Sequence, residues 1–268
     1  MSLSVAGKYA VITGAGSGIN LAFAKLLLER GCSVMIGDLA LRPGASSLLA
    51  QYPHPRQPNR PSALFQPTNV ASWPQLTQLW TKTLESFPQV DIVVPGAGIF
   101  EPSWSSFWRP PQTETNLQTK SRDAADAEPG TYAVLDVNLA HPIRLSQLAI
   151  GHWTQQKREG CLVHVGSIAG YAAGIGSPLY MASKHGLHGF GEGSDLFIDP
   201  EEIARGMLEL CENPEHGDGT ILEVTKGATR VVPLYHAEPP GGKGAVIPRL
   251  VDEAEKIWGE LESLGLKV

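Results

Sequence analysis

The sequence predicts an α/β protein in which helices cover both faces of a mainly parallel sheet. Three observations carry this. β-prone runs alternate with helical apolar patterns along most of the chain. A glycine-rich turn joins the first such run to the first such helix. A length of 268 residues suits one large α/β domain better than two small ones, and neither an internal repeat nor a low-complexity linker divides it. Residues 1–268 are therefore read as a single domain with its core in 5–225 and a tail and helix in 226–268.

Tyr9–Thr13 is a short β-prone run. Ile19–Arg30 places Ile19, Leu21, Ala22, Phe23, Leu26 and Leu27 at helical spacing, and Gly31 ends it. Ser33–Ile36 and Ala63–Gln66 read as the second and third strands. Gln51–Pro67 carries Pro53, Pro55, Pro58, Pro61 and Pro67, which predicts a loop leading into the third strand. Trp73–Phe87 is expected to be a helix with Leu76, Leu79, Trp80 and Leu84 as its apolar positions. Val90–Val94 reads as a fourth strand, Tyr132–Gln155 as a long helix, Cys161–Val165 as a fifth strand and Pro178–Phe190 as a helix. Pro200–Cys211 is a further helix, Thr220–Val224 a strand and Ile247–Leu264 a C-terminal helix. The polar stretch Phe100–Pro129, with Trp104, Phe107 and Trp108 near its start, is too long for a plain connection.

Composition narrows the function classes. A formal net charge of -6 argues against a general nucleic-acid binder, which would carry a basic patch. It leaves room for an anionic ligand, because backbone N–H groups can hold phosphate. Cys32, Cys161 and Cys211 are odd in number and lack metal-ligand spacing, which points to reduced thiols in a cytoplasmic protein. His141, His164, His185 and His188 show no metal spacing either, so no metal is expected, and structural or surface roles are assigned to His185 and His188, which follow Lys184 on the same helix. The chain enters its first strand too early for a signal peptide. No apolar run approaches the roughly 20 residues that span a bilayer.

Thr13-Gly14-Ala15-Gly16-Ser17-Gly18-Ile19-Asn20 lies between the first strand and the first helix. Glycines allow a tight turn there, and the helix start offers N–H groups and a dipole to a pyrophosphate. Asp38, at the end of the second strand, can accept hydrogen bonds from ribose hydroxyls and repel a 2′-phosphate, so NAD is preferred to NADP; the nearby Arg42 keeps NADP open. Together these features refine the fold to a Rossmann-type, doubly wound, three-layer α/β/α sheet. Tyr180 and Lys184 stand four residues apart, on one face of a helix. Thirteen residues before Tyr180, Ser167 ends the fifth strand.

In this order the motifs resemble the short-chain dehydrogenase/reductase family, over residues 5–190 and less closely over 200–225. The family's TGxxxGxG is similar to Thr13–Asn20, with Asn20 in place of the last glycine. Its Asp-Val pair matches Asn69-Val70, and its NNAG matches Pro95-Gly96-Ala97-Gly98, with both asparagines replaced. Its helix asparagine matches Asn138, and its Ser, Tyr and Lys match Ser167, Tyr180 and Lys184. The Val231–Tyr235 tail is similar to the 15-hydroxyprostaglandin-dehydrogenase-like branch.

The resemblance implies an oxidoreductase that interconverts a secondary alcohol and a ketone with NAD. Tyr180 would act as general acid/base, Ser167 would steady the substrate oxygen, Lys184 would favour the phenolate and hold the nicotinamide ribose, and Asn138 would shape a helix bend and place a relay water. Gly14, Ser17, Gly18, Ile19, Asp38, Asn69, Val70, Ala97 and Gly98 would line the cofactor, with Tyr180 and Lys184. Trp104, Trp108 and Tyr171 are assigned to a substrate with apolar bulk, although the tryptophans could equally anchor their loop. The family assembles as homodimers or homotetramers, and no nucleic-acid or membrane partner is implied.

One departure is large. After Phe190 the chain passes through Gly191–Asp199 to Pro200, and a parallel crossover needs a dozen or more residues. The family's sixth strand and most of its substrate lid are therefore expected to be missing. Three accounts remain open, the first preferred: a segment of the native protein that this chain lacks, a shortened form with Ile221–Val224 in the vacant sheet position, or a redox-inactive relative. The alternative to an enzyme of alcohols and ketones is a non-redox protein on the same scaffold, a binding module or cyclase-like catalyst.

Overall fold

β1 (Tyr9–Thr13) is the strand about which the sheet is built. The computed structural model describes residues 5–57, 60–114, 116–170, 174–191, 221–225 and 228–232, together with Asn213, Glu215, Lys256 and Gly259. These fall into two compact units, the first running to Gly166 and the second from Ser167 to Gly265. In the first unit β2 (Ser33–Asp38), β3 (Ala63–Pro67), β4 (Ile92–Val94) and β5 (Cys161–Leu162) join β1 in the order β3-β2-β1-β4-β5, every pair parallel. The chain thus builds outward from β1 to β3, then returns to the other side of β1 for β4. That reversal opens a crevice beyond the carboxyl ends of β1 and β4, where ligands of such sheets bind.

All five β1 residues are buried, as expected of a strand covered on both faces. Alternate side chains go to opposite faces. Ala10 and Ile12, with Val34, Ile36, Ile92 and Val94, meet Ala24, Leu27 and Leu28 of α1 (Gly18–Glu29) and Leu48 of α2 (Pro43–Gln51). Tyr9 and Val11, with Met35 and Val93, meet Leu79 and Trp80 of α3 (Trp73–Ser86). Leu145, Ala149 and Trp153 of α5 (His141–Gln155) complete that layer. Each fully buried Val, Leu, Ile or Met side chain among these contributes about 1.5–3 kcal/mol. Trp153 also donates its indole N–H to the Val90 carbonyl at 2.7 Å, so its polar tip is paired inside the core.

The helix expected over 132–155 is found in three pieces: α4 (Ala133–Leu135), a π-helical turn (Asp136–Ala140) and α5. Pro142 explains the break. A proline has no N–H for the carbonyl four residues back, here Asn138, and its ring crowds that carbonyl. A single π turn widens the helix at that point.

α2 was not anticipated from sequence. β5 ends at Leu162 rather than Val165, although the Val163 N–H still donates to the Val93 carbonyl at 3.0 Å. Pro95 follows β4 and has no N–H to give the next rung. The second unit holds a 3-10 turn (Ile168–Gly170), α6 (Pro178–Gly191), β6 (Ile221–Thr225) and β7 (Ala228–Val232). β6 was expected from Thr220, whereas β7 was not. The two pair antiparallel, so among the described residues β6 does not add a parallel strand. Gly191 closes α6. The gap from residue 192 to 199 and the helix expected over 200–211 lie outside the described residues, as does most of 247–264, where Lys256 and Gly259 are helical. Among the described residues the parallel sheet has five strands and no helix is long and apolar enough to cross a membrane.

Candidate active site

The glycine turn leaves the end of β1 and enters α1. Gly14 has φ +74°, a left-handed conformation that suits glycine, and a Cβ there would come within 2.6 Å of the Ala97 Cα. Its N–H donates to the Gly37 carbonyl at 2.8 Å. The turn is braced a second time by the Arg42 N–H, which donates to the Gly16 carbonyl at 3.1 Å. Ser17, Gly18 and Ile19 are exposed, Ile19 at 77%, and the Ser17 hydroxyl makes no cap bond to the helix. A helix start that faces solvent without a side-chain cap can offer its first-turn N–H groups to an anion.

Asp38 closes β2 beside this turn. Its Oδ2 accepts the Gly16 N–H at 2.8 Å, which fixes the carboxylate at the edge of the turn. Its carbonyl accepts the Thr68 N–H at 2.8 Å, which brings the chain after β3 alongside. There Asn69 is exposed and Val70 buried. The Asn69 Oδ1 accepts the Ala71 N–H at 3.1 Å, an Asx turn that leads into α3.

Asn138 lies in the π turn and is 1% exposed. Its Nδ2 donates to the Ile99 carbonyl at 2.8 Å and its Oδ1 accepts the Ile99 N–H at 2.9 Å, so the amide pairs with backbone as a strand would. Gly98 packs against it, with room for a Cβ only 3.4 Å from Oδ1. Ala97 is held through Thr13, whose hydroxyl oxygen accepts the Ala97 N–H at 3.3 Å.

Two residues of this region were not assigned a role from sequence. His141 is fully buried, with Nδ1 2.9 Å from the Val137 carbonyl and Nε2 2.9 Å from the Thr13 hydroxyl. A carbonyl only accepts, so Nδ1 carries the proton and Nε2 accepts the Thr13 O–H. Burial pushes the His141 pKa down to about 4, with the nearby His164 a smaller contribution in the same direction. The imidazole is therefore neutral, and it orients the hydroxyl that receives Ala97. Asn20, buried in the first turn of α1, donates its Nδ2 to the Gly96 carbonyl at 2.7 Å. The signal for His141 was its place three residues after Asn138, on the same helical face. For Asn20 it was the broken glycine pattern.

In the second unit Ser167 leads into the 3-10 turn, and its Oγ accepts the Ala169 N–H at 3.1 Å. Tyr180 and Lys184 lie one turn apart on α6. The Lys184 Nζ sits 5.8 Å from the centroid of the Tyr180 ring. Lys184 is 7% exposed, and burial lowers its pKa from the usual lysine value. The 3-10 turn packs on α6 through His188, whose ring leaves no room for a Cβ at Gly170.

The stretch 100–131 is organised by its own side chains. Glu101 accepts the Ser106 hydroxyl at 2.9 Å and the Phe107 N–H at 2.8 Å. Asp123 accepts the Ser105 hydroxyl at 3.1 Å and the Ala133 N–H at 3.0 Å, at the start of α4. The Arg122 guanidinium lies over the Trp104 ring, 5.5 Å from its centroid, while Trp108 meets Phe107 edge-on at 4.9 Å. Tyr171 lies outside the described residues.

A family model for short chain dehydrogenases matches residues 8–204. The chain belongs to the short chain dehydrogenase family. Its relatives in this family of oxidoreductases include human 15-hydroxyprostaglandin dehydrogenase (NAD(+)), 28% identical over 270 residues that cover 94% of this chain and 89% of that protein. The 3-oxoacyl-acyl-carrier-protein reductase of Escherichia coli is 30% identical over 208 residues, 76% of this chain and 74% of that one. A family structure from Burkholderia phymatum, solved in complex with NAD, shares the fold with a TM-score of 0.55 at 23% identity. The match covers 70% of this chain and 59% of that one, so it spans less than two thirds of the solved protein.

Proposed function

We propose that this chain is an NAD(H)-dependent oxidoreductase interconverting a secondary alcohol and a ketone, with Ser167, Tyr180 and Lys184 as its catalytic residues. The observation that carries the reading is the Tyr180–Lys184 pair, with a buried ammonium 5.8 Å from the phenol ring one helical turn away. Tyr180 would take the hydroxyl proton of an alcohol, or give one to a ketone, beside that cation. Burial weakens the hold of Lys184 on its own proton, so a negative partner gains in importance. Ser167, its oxygen already accepting a backbone N–H, has its hydroxyl hydrogen to donate to the substrate oxygen.

The residues present fit a dinucleotide. The exposed start of α1 suits its pyrophosphate, with Gly14, Ser17, Gly18 and Ile19 around it. Asp38, fixed by Gly16, has its Oδ1 for a ribose hydroxyl, and its charge disfavours a 2′-phosphate. Asn69, Val70, Ala97 and Gly98 continue the lining, and the name of the human relative supports NAD over NADP. The bound nicotinamide would supply the hydride acceptor or donor. Asn138, with its side-chain amide engaged by Ile99, would shape the helix bend and place a relay water. Phe107 and Trp108 support a substrate with apolar bulk, while the Arg122 cation over Trp104 favours an anchoring role for that ring. The reading takes the chain as one cytoplasmic domain that assembles as a homodimer or homotetramer.

A dehydrogenase screen of secondary alcohols with NAD, and of ketones with NADH, identifies the substrate. Against it, Tyr180→Phe is expected to lower turnover by about 10²–10⁴-fold while leaving NADH binding largely intact. Turnover equal to that of the wild type would remove Tyr180 from the chemistry.

A further inference from the structure

We propose that Asn20 is a positioning residue for the dinucleotide, and that it works as one unit with Pro95 and Gly96. The inference rests on the cofactor reading above and assigns the work of three residues that depart from the family's motifs.

Pro95 comes first. Its fixed φ suits the centre of an inverse γ-turn. The Gly96 N–H donates to the Val94 carbonyl at 2.8 Å, the bond that defines such a turn. The chain therefore bends sharply as β4 ends, and the Gly96 carbonyl faces α1. Asn20 reaches across to it, with Nδ2 to carbonyl oxygen at 2.7 Å.

Space explains why 96 is a glycine. A Cβ built there would lie 2.7 Å from both Cγ and Nδ2 of Asn20, and closer still to Oδ1. A side chain at 96 and the amide of Asn20 exclude one another. On its other side the amide is bounded by Gly14, where a Cβ would come within 3.1 Å of Nδ2. The amide thus fills a slot between the glycine turn and the β4 turn. In the family pattern the glycine is at 20 and the asparagine at 96. Here the two residue types have changed places across one gap, and the amide now approaches from the helix.

The consequence is mechanical. Asn20 is 9% exposed and sits in the first turn of α1, next to the exposed Ser17, Gly18 and Ile19. Its bond ties that turn to the strand on the far side of the crevice between β1 and β4. The helix start that would meet the pyrophosphate is thus held from the β4 side by Asn20 on Gly96, as the turn before it is held by Gly14 on Gly37 and by Gly16 on Asp38 and Arg42. Preorganisation of this kind lowers the ordering cost of binding.

NADH binding, followed by protein fluorescence, and urea unfolding of the ligand-free chain test this together. Asn20→Gly leaves the Gly96 carbonyl without its donor and is expected to weaken NADH binding roughly tenfold. Gly96→Asn is expected to lower the urea midpoint and weaken binding at least as much, because two amides compete for one slot. The double variant Asn20→Gly with Gly96→Asn is expected to recover most of both. A double variant no better than Gly96→Asn would overturn the exchange. A lowered midpoint for Asn20→Gly with unchanged NADH affinity would overturn the positioning role and leave a purely structural one. If the wild type binds no dinucleotide, the cofactor reading fails, and the urea cycle alone still decides whether positions 20 and 96 are coupled.

Discussion

The imidazole at position 141 gives its Nδ1 hydrogen to a carbonyl and meets the Thr13 hydroxyl at Nε2, and burial keeps it neutral. Protonation would turn Nε2 into a donor to the Thr13 oxygen and send the Thr13 hydroxyl hydrogen to the Val94 carbonyl, 3.4 Å away. In the unfolded chain the same group titrates near 6.5, against about 4 when folded. Between these values the unfolded state binds a proton that the folded state refuses. The stability due to His141 is therefore complete above pH 6.5 and falls as pH drops toward 4, by about 3 kcal/mol at roughly 1.4 kcal/mol per unit. His164, also lowered by burial, adds to the loss in the same direction. Urea unfolding at a series of pH values measures it, and His141→Asn is expected to flatten the slope across that window. An unchanged slope in the variant would place the pH sensitivity elsewhere.

At the scale of the element, the π turn shows how one proline sets a site. Pro142 widens the helix at Asn138, and the Asn138 amide then pairs with both backbone groups of Ile99. Asn138→Ala removes both bonds and leaves two backbone groups to find other partners, at about 1–3 kcal/mol each. A loss of roughly 3 kcal/mol in urea unfolding is expected, and a loss below about 0.5 kcal/mol would show that the pairing does not hold the loop. The apolar pattern of 132–155 runs through Pro142 without interruption, so the periodicity predicts one helix and only the proline marks the break. α2 was hidden for the opposite reason, since Gly44, Ser46 and Ser47 dilute its pattern and only Ala45 and Leu48 are buried. The clean strands were those buried on both faces, such as β1. β5 fell short because its partner ends in Pro95, a constraint set on a different strand some 70 residues away in sequence. Of the candidate site, Asp38, Asn138, Tyr180 and Lys184 are singled out in the sequence by their places in ordered motifs. The roles of Asn20 and His141 are not legible there, because each acts through a backbone or hydroxyl group that only the folded chain brings within reach.

The whole molecule places its glycine turn, Asp38, Ala97 and the Asn20–Gly96 bond round the carboxyl ends of β1, β2 and β4, at the reversal of strand order. A chain of net charge -6 can still receive a dinucleotide there, because the proposed pyrophosphate site consists of backbone N–H groups and a helix start rather than basic side chains. Asp38 is the one carboxylate in that set, and it makes the choice between cofactors a matter of charge. Titration of the purified full chain with NADH and with NADPH, read by quenching of its six tryptophans, tests the central claim most directly. Saturable binding of NADH, at least about tenfold tighter than that of NADPH, is the predicted result. No binding of either at millimolar concentration would contradict it.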